Sequence, residues 1–137
     1  MNSLNEIEKK LILDLKEKGL IDRPPLIEQE RFDIIVENLI NDDCRELMFR
    51  LCVSYPNYNY NKVIDYYIKK RDSWYIEEFV SAIGGVLNQE YLVQKMIETN
   101  DKVFIRNSLN LCNYCMESFL KPHLLTKIYL FLEMYDI

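Results

Sequence analysis

The chain has 137 residues, about the size of one domain, and a formal net charge of −5, which argues against a general binder of phosphate backbones because such proteins carry a basic face. Three glycines and four prolines are too few for an all-β protein built on tight turns, while a hydrophobic share of 49% is enough for a continuous core. No stretch approaches the roughly 20 apolar residues of a membrane span, and the first residues are polar and acidic where a secretory signal has an apolar run, so the expected location is the cytoplasm.

From the start of the chain, Ser3 with Glu6 has the spacing of a capping box. It opens a helix striped by Leu4, Ile7, Leu11 and Leu15, and Gly19 ends it. Asp22-Arg23-Pro24-Pro25 reads as a break followed by proline in a first helical turn, so residues 1–19 form a leading, capping helix. Helices are then expected over 26–40 and 43–55, the second closed by Pro56. A turn-rich but aromatic linker, 57–61, carries Tyr58 and Tyr60; with Tyr55, Tyr66 and Tyr67 it makes either an aromatic packing cluster or a second contact area. Further helices are expected over 61–70 and 72–83, stopped by Gly84-Gly85, then over 88–99, 101–116 and 122–135.

These helices repeat. Asp43, Asp72 and Asp101 follow one another at intervals of 29 residues. At the same offset Ile34, Val63 and Leu92 align, as do Ile35, Ile64 and Val93; Leu39, Ile68 and Ile97; Leu47, Ile76 and Ile105; and Leu51, Val80 and Leu109. Within each copy the apolar positions have helical spacing, so each unit is a helical hairpin in which the aspartate caps the second helix. Two-helix units of fixed period stack on one another. The openings Asn41-Asp42-Asp43-Cys44-Arg45, Asp72-Ser73-Trp74 and Asn100-Asp101-Lys102-Val103, with the ending Ala82-Ile83-Gly84, resemble the short HEAT-like repeat of the phycobilisome-lyase type over residues 32–116. The resemblance implies an all-α, short HEAT-like α-solenoid of about three and a half hairpins whose usual work is binding. The expected domain plan is a single domain: the leading helix, three two-helix repeats over 26–116, and a terminal half repeat over 117–137.

The terminal half repeat is apolar on nearly every side through Ile128-Tyr129-Leu130-Phe131-Leu132, Met134 and Tyr135, so a homodimer through 124–135 is one expected use of it and burial within the chain the other.

No residue pattern supports catalysis. Cys112-Asn113-Tyr114-Cys115 is a C-x-x-C placed late in a helix, where a redox site of the thioredoxin type needs a helix N-terminus. A zinc site would need a second ligand pair, and only His123 with the distant Cys44 and Cys52 is available. His123, the sole histidine, has no nucleophile beside it in sequence. The basic run Lys69-Lys70-Arg71 suits the negative end of a helix dipole. No enzyme activity, metal or cofactor is therefore expected.

With the aligned leucines facing inward, the opposite side of the second helices presents Arg45, Met48 and Cys52, then Trp74, Glu77, Glu78 and Ser81, then Arg106, Asn107 and Asn110. A tryptophan beside two carboxylates, flanked by Arg and Asn, is hot-spot chemistry for a basic protein partner. The expected function is protein binding, most concretely that of an immunity protein covering the active surface of a toxin or nuclease domain. Two alternatives differ in class. One is a nucleic-acid protein similar to the HEAT-like DNA glycosylases, to which Asp72 and Trp74 can be fitted; the other is a homodimeric scaffold or regulator. Nucleic acid is disfavoured by charge, and no membrane contact is expected.

Overall fold

The apolar stripes become helices, and the chain is all-α. The computed structural model describes residues 3–110 and 119–133. Among them are eight helices and no strand: α1 (Glu6–Lys18), α2 (Gln29–Asn41), α3 (Arg45–Ser54), α4 (Asn61–Lys69), α5 (Ser73–Ile83), α6 (Gln89–Glu98), α7 (Lys102–Asn110) and α8 (Pro122–Leu132). They divide between two compact units, residues 1–63 and 64–137, with the boundary inside α4. None of the described helices is long and apolar enough to cross a membrane.

Helix α1 starts two residues later than the Ser3–Glu6 pattern suggests. Asn5 is its N-cap, accepting from the Glu8 amide at 2.8 Å while the Glu8 carboxylate accepts from the Asn5 amide at 2.9 Å. This capping box takes Glu8 into the interior, where it is 1% exposed, and turns Ile7 out to 62% exposure. Gly19 ends the helix as expected, at φ 84°, a conformation that glycine adopts without the Cβ penalty of other residues.

A shared turn joins the helices of each hairpin. In the first, Asp43 is left-handed at φ 53°; its amide donates to Ile40 O at 3.0 Å and the Cys44 amide donates to Leu39 O at 2.9 Å, the paired bonds of a Schellman ending. In the second, Arg71 is left-handed at φ 54°, with its own amide bonded to Ile68 O and that of Asp72 to Tyr67 O, each at 3.0 Å. The third has Asn100 at φ 54°. The residue that follows caps the next helix. Asp72 Oδ1 accepts from the Tyr75 amide at 3.2 Å and Asp101 Oδ1 from the Phe104 amide at 3.0 Å. The expected cap at Asp43 is overturned: Asp43 supplies the left-handed turn residue, and Cys44 stands at the cap of α3 without a side-chain bond to it.

That correction changes the register of the repeat. Arg71 follows Asp43 by 28 residues and Asn100 follows Arg71 by 29. In this register Ile35, Val63 and Leu92 are equivalent, as are Val36, Ile64 and Val93, and Leu39, Tyr67 and Met96. The second helices match Met48 with Ile76 and Ile105, Leu51 with Phe79 and Ser108, and Cys52 with Val80 and Leu109. All of these are buried. The uniform interval of 29 instead paired the buried Val63 and Leu92 with Ile34, which is only half-buried.

In the first unit α1 and α2 both pack on α3. Arg31 of α2 closes on Glu8 of α1 with two bonds, Nε to Oε2 at 2.7 Å and Nη2 to Oε1 at 2.5 Å. Arg50 of α3 donates to Leu15 O at 2.9 Å, satisfying a carbonyl at the C-terminal end of α1. The leading helix is thus docked on its neighbours. Phe32 anchors an aromatic cluster: it stacks on Tyr58 with centroids 4.7 Å apart and meets Tyr55 and Tyr60 edge to face. The tyrosine-rich linker is packing material within this unit.

The Arg31 guanidinium hydrogen-bonded to Glu8, against the opposing effect of burial, holds that carboxyl below the ordinary carboxylate range. A depressed folded pKa contributes stability above the pKa of the unfolded chain and loses it as pH falls through the folded value. Denaturant titrations from pH 7 into the acid range should show this loss, and Glu8→Ala should be less stable at pH 7 by about 2 kcal/mol with a flatter acid dependence. An unchanged acid profile in that variant would show that the Glu8–Arg31 pair does not contribute to the acid dependence.

In the second unit α5 packs on α7 and α6 on α8, second helix on second helix and first on first, as stacked hairpins require. Tyr67 is fully buried, stacked on Tyr75 with centroids 5.6 Å apart and edge to face with Phe79.

Candidate functional site

Among the described residues, helix α5 carries the most exposed aromatic side chain. Its buried arc, Ile76, Glu77, Phe79, Val80 and Ile83, leaves Trp74 at 54% exposure, with Glu78 half-buried and Ser81 and Ala82 exposed. Trp74 lies in the first turn, directly after the Asp72 cap, so the same bond that starts the helix sets the ring's place on the surface.

Helix α7 packs on α5. Three contacts join the start of α5 and the turn before it to α7 and its cap: Arg71 Nε to Asp101 Oδ2 at 3.2 Å, Ser73 Oγ to Phe104 O at 3.5 Å, and Ser108 Oγ to Ser73 Oγ at 3.2 Å. The residue equivalent to Trp74 is Val103, 67% exposed, and beyond it Arg106 and Asn107 are exposed as well. Arg106 Nη2 lies 3.5 Å from Leu132 O, near the last turn of α8, where a cation favours the negative end of the dipole. Trp74, Glu78, Ser81, Val103, Arg106 and Asn107 thus form a mixed surface: two large apolar groups beside one carboxylate, one guanidinium and hydrogen-bonding groups.

Two residues expected on this side are in the interior. Glu77 is 1% exposed, because the buried arc of α5 is wide enough to include it. Met48 is fully buried, because the corrected register places it with Ile76 and Ile105. Neither is available to a partner. Arg45, in the first unit, is half-buried and 3.4 Å from Asp43 through Nε and Oδ1. Asn110 is the last residue of α7; its side chain, with Cys112, Cys115, Met134 and Tyr135, lies outside the described residues.

The other chemical candidates resolve locally. Cys52 is fully buried, and burial pushes its thiol well above its ordinary pKa, which leaves it a poor nucleophile at neutral pH. Cys44 is half-buried. Among the described residues no three His, Cys, Asp or Glu side chains are grouped to hold a metal ion. His123 is exposed on α8, its Nε2 3.7 Å from Glu90 Oε1. In the basic run, Arg71 is engaged by Asp101 and by Ile68 O and lies over the Phe104 ring at 5.4 Å. Asp72, the residue that a glycosylase-type site would need, is occupied by its cap.

Sequence reading missed an acidic row on α2. Glu30, Asp33 and Glu37 line an open groove of about 470 Å³ with Ile34 and Lys62, and Lys62 hydrogen-bonds Glu37. The spacing of these carboxylates on one helix face was the available signal. Compared with known proteins, the chain matches no protein-family model, no curated protein and no solved structure.

Proposed function

We propose that this protein works by binding another protein through the outer side of α5 and α7, most concretely as an immunity protein that neutralises a cognate toxin by covering its active surface. The observation that carries the reading is the pair Trp74 and Val103, large apolar side chains held more than half exposed at equivalent positions of two packed helices. An exposed Trp on the same pair of packed helices as Glu78, Arg106 and Asn107 has the composition of an interface centre, where aromatic and arginine side chains carry most of the binding energy. The charge of −5 and the acidic row on α2 favour a basic partner, steering its approach.

The test is affinity capture from the native cell with the tagged chain beside a Trp74→Ala, Arg106→Glu variant, both residues being exposed enough to change without unfolding the helices. The captured protein must be toxic when expressed alone and harmless when co-expressed with the native chain. The variant is expected to weaken capture at least about 30-fold, the loss of one hot-spot aromatic. Undiminished capture would move the site elsewhere. Salt-sensitive DNA binding without a protein partner would favour the glycosylase-type alternative.

A further inference from the structure

The segment between α1 and α2 holds Leu26 almost wholly out in water. Leu26 is 96% exposed, yet the chain on both sides of it is fixed: the Tyr55 hydroxyl donates to Pro25 O and the Tyr58 hydroxyl to Ile27 O, each at 2.5 Å. Burial pushes the Tyr55 hydroxyl up to about 12, so it remains a donor throughout the physiological range. Upstream, the Ile21 amide donates to Ser54 Oγ at 3.1 Å. Three bonds thus order a short loop, and what that order presents is an apolar side chain on a backbone whose ordering cost is already met.

Leu26 itself forms part of the lining of a groove of about 390 Å³, with Pro24, Tyr55, Pro56 and Tyr58 as its other apolar walls and Asn57 and Asp22 among its polar ones. Its volume has room for a leucine and the backbone that carries it. Knob and hole therefore lie on one patch of one unit, which is the condition for an isologous contact, where the same surface serves both copies. The neighbouring charges are self-complementary too. Asp22 borders this groove, whereas Arg23 lines the adjoining groove against α1, so two copies related by a two-fold axis can set Asp22 of one against Arg23 of the other.

We propose that a second copy of this chain is the occupant: Leu26 of each copy seats in the Pro24–Tyr55–Pro56–Tyr58 groove of the other, forming a weak, reversible dimer. The contact is small compared with a stable interface, so association is expected only at high protein concentration. It uses the first unit alone and is independent of the proposed α5–α7 site.

Sedimentation velocity on the full chain, over a concentration series reaching about 1 mM, tests it. The native chain should show a reversible dimer, and Leu26→Asp should weaken it at least about tenfold without altering the helical circular dichroism. Asn57→Arg, which blocks the groove, should do the same. A native chain that stays monomeric throughout overturns the proposal. A dimer that survives Leu26→Asp does so as well, and one lost only with Leu130→Glu belongs to the last helix instead.

Discussion

Met48→Lys is expected to destabilise the protein by at least about 4 kcal/mol, because it places an ammonium group in a fully buried position with no charge partner provided for it. Against a typical domain stability of about 5–15 kcal/mol that is a large fraction of the total, and the melting temperature should fall by more than about 10 °C. The matched control is Val103→Lys, the same kind of change at a site 67% exposed, where the effect should stay within about 0.5 kcal/mol. Circular dichroism melts of the two variants beside the native chain measure both. The pair is also a direct test of the repeat register. With a uniform interval of 29, Met48 is equivalent to Glu77 and was expected on the binding side, where lysine is harmless; with 28 it is equivalent to Ile76, in the core. Two near-neutral variants would restore the uniform interval.

That one-residue difference explains what could be read in advance. Helix periodicity and the recurrent acidic residue were enough to identify hairpins, their order and most of their ends, because those features repeat over many residues and tolerate small errors. Faces are less forgiving. A slip of one residue turns a helix by about 100°, which is enough to carry Met48 from surface to interior. The ambiguity arose at Asp42-Asp43-Cys44, since aspartate suits both an N-cap and a left-handed turn residue, and the adjacent positions need both. Asp72 and Asp101 took the first role and Asp43 the second. Of the proposed contact residues, Trp74, Arg106 and Asn107 were legible as exposed because their helix starts were placed correctly. Glu77 was not, since its burial depends on the width of the arc that α5 covers, a tertiary quantity. Leu26 is hidden for the opposite reason: the sequence reads as the start of a helix there, and the two tyrosine bonds to its flanking carbonyls hold it fixed and outside.

The position equivalent to Phe32 and Tyr60 in the third repeat is Gln89, and its polarity has a tertiary cause as well. The side chain is 3% exposed and each of its bonds goes to backbone outside α6. Nε2 donates to Gly84 O and to Phe119 O, each at 2.9 Å, and Oε1 accepts from the Lys121 amide at 2.8 Å. One carboxamide thus joins the end of α5 and the segment entering α8 to the first turn of α6. Leucine has nearly the right volume and none of these bonds. Gln89→Leu would leave two carbonyls and one amide without their partner, at about 1–3 kcal/mol for each that water cannot reach, so a total loss of about 3 kcal/mol or more is expected. Gln89→Glu should be no better, because it turns two donated bonds into repulsion between a carboxylate and carbonyl oxygens. Hydrogen exchange separates this local role from simple loss of volume. If the amide network holds α8 in place, the Lys121 amide and the first turn of α8 should lose protection in Gln89→Leu well before the α5–α7 pair does. Uniform loss across the unit would instead make Gln89 an ordinary core residue whose replacement lowers global stability.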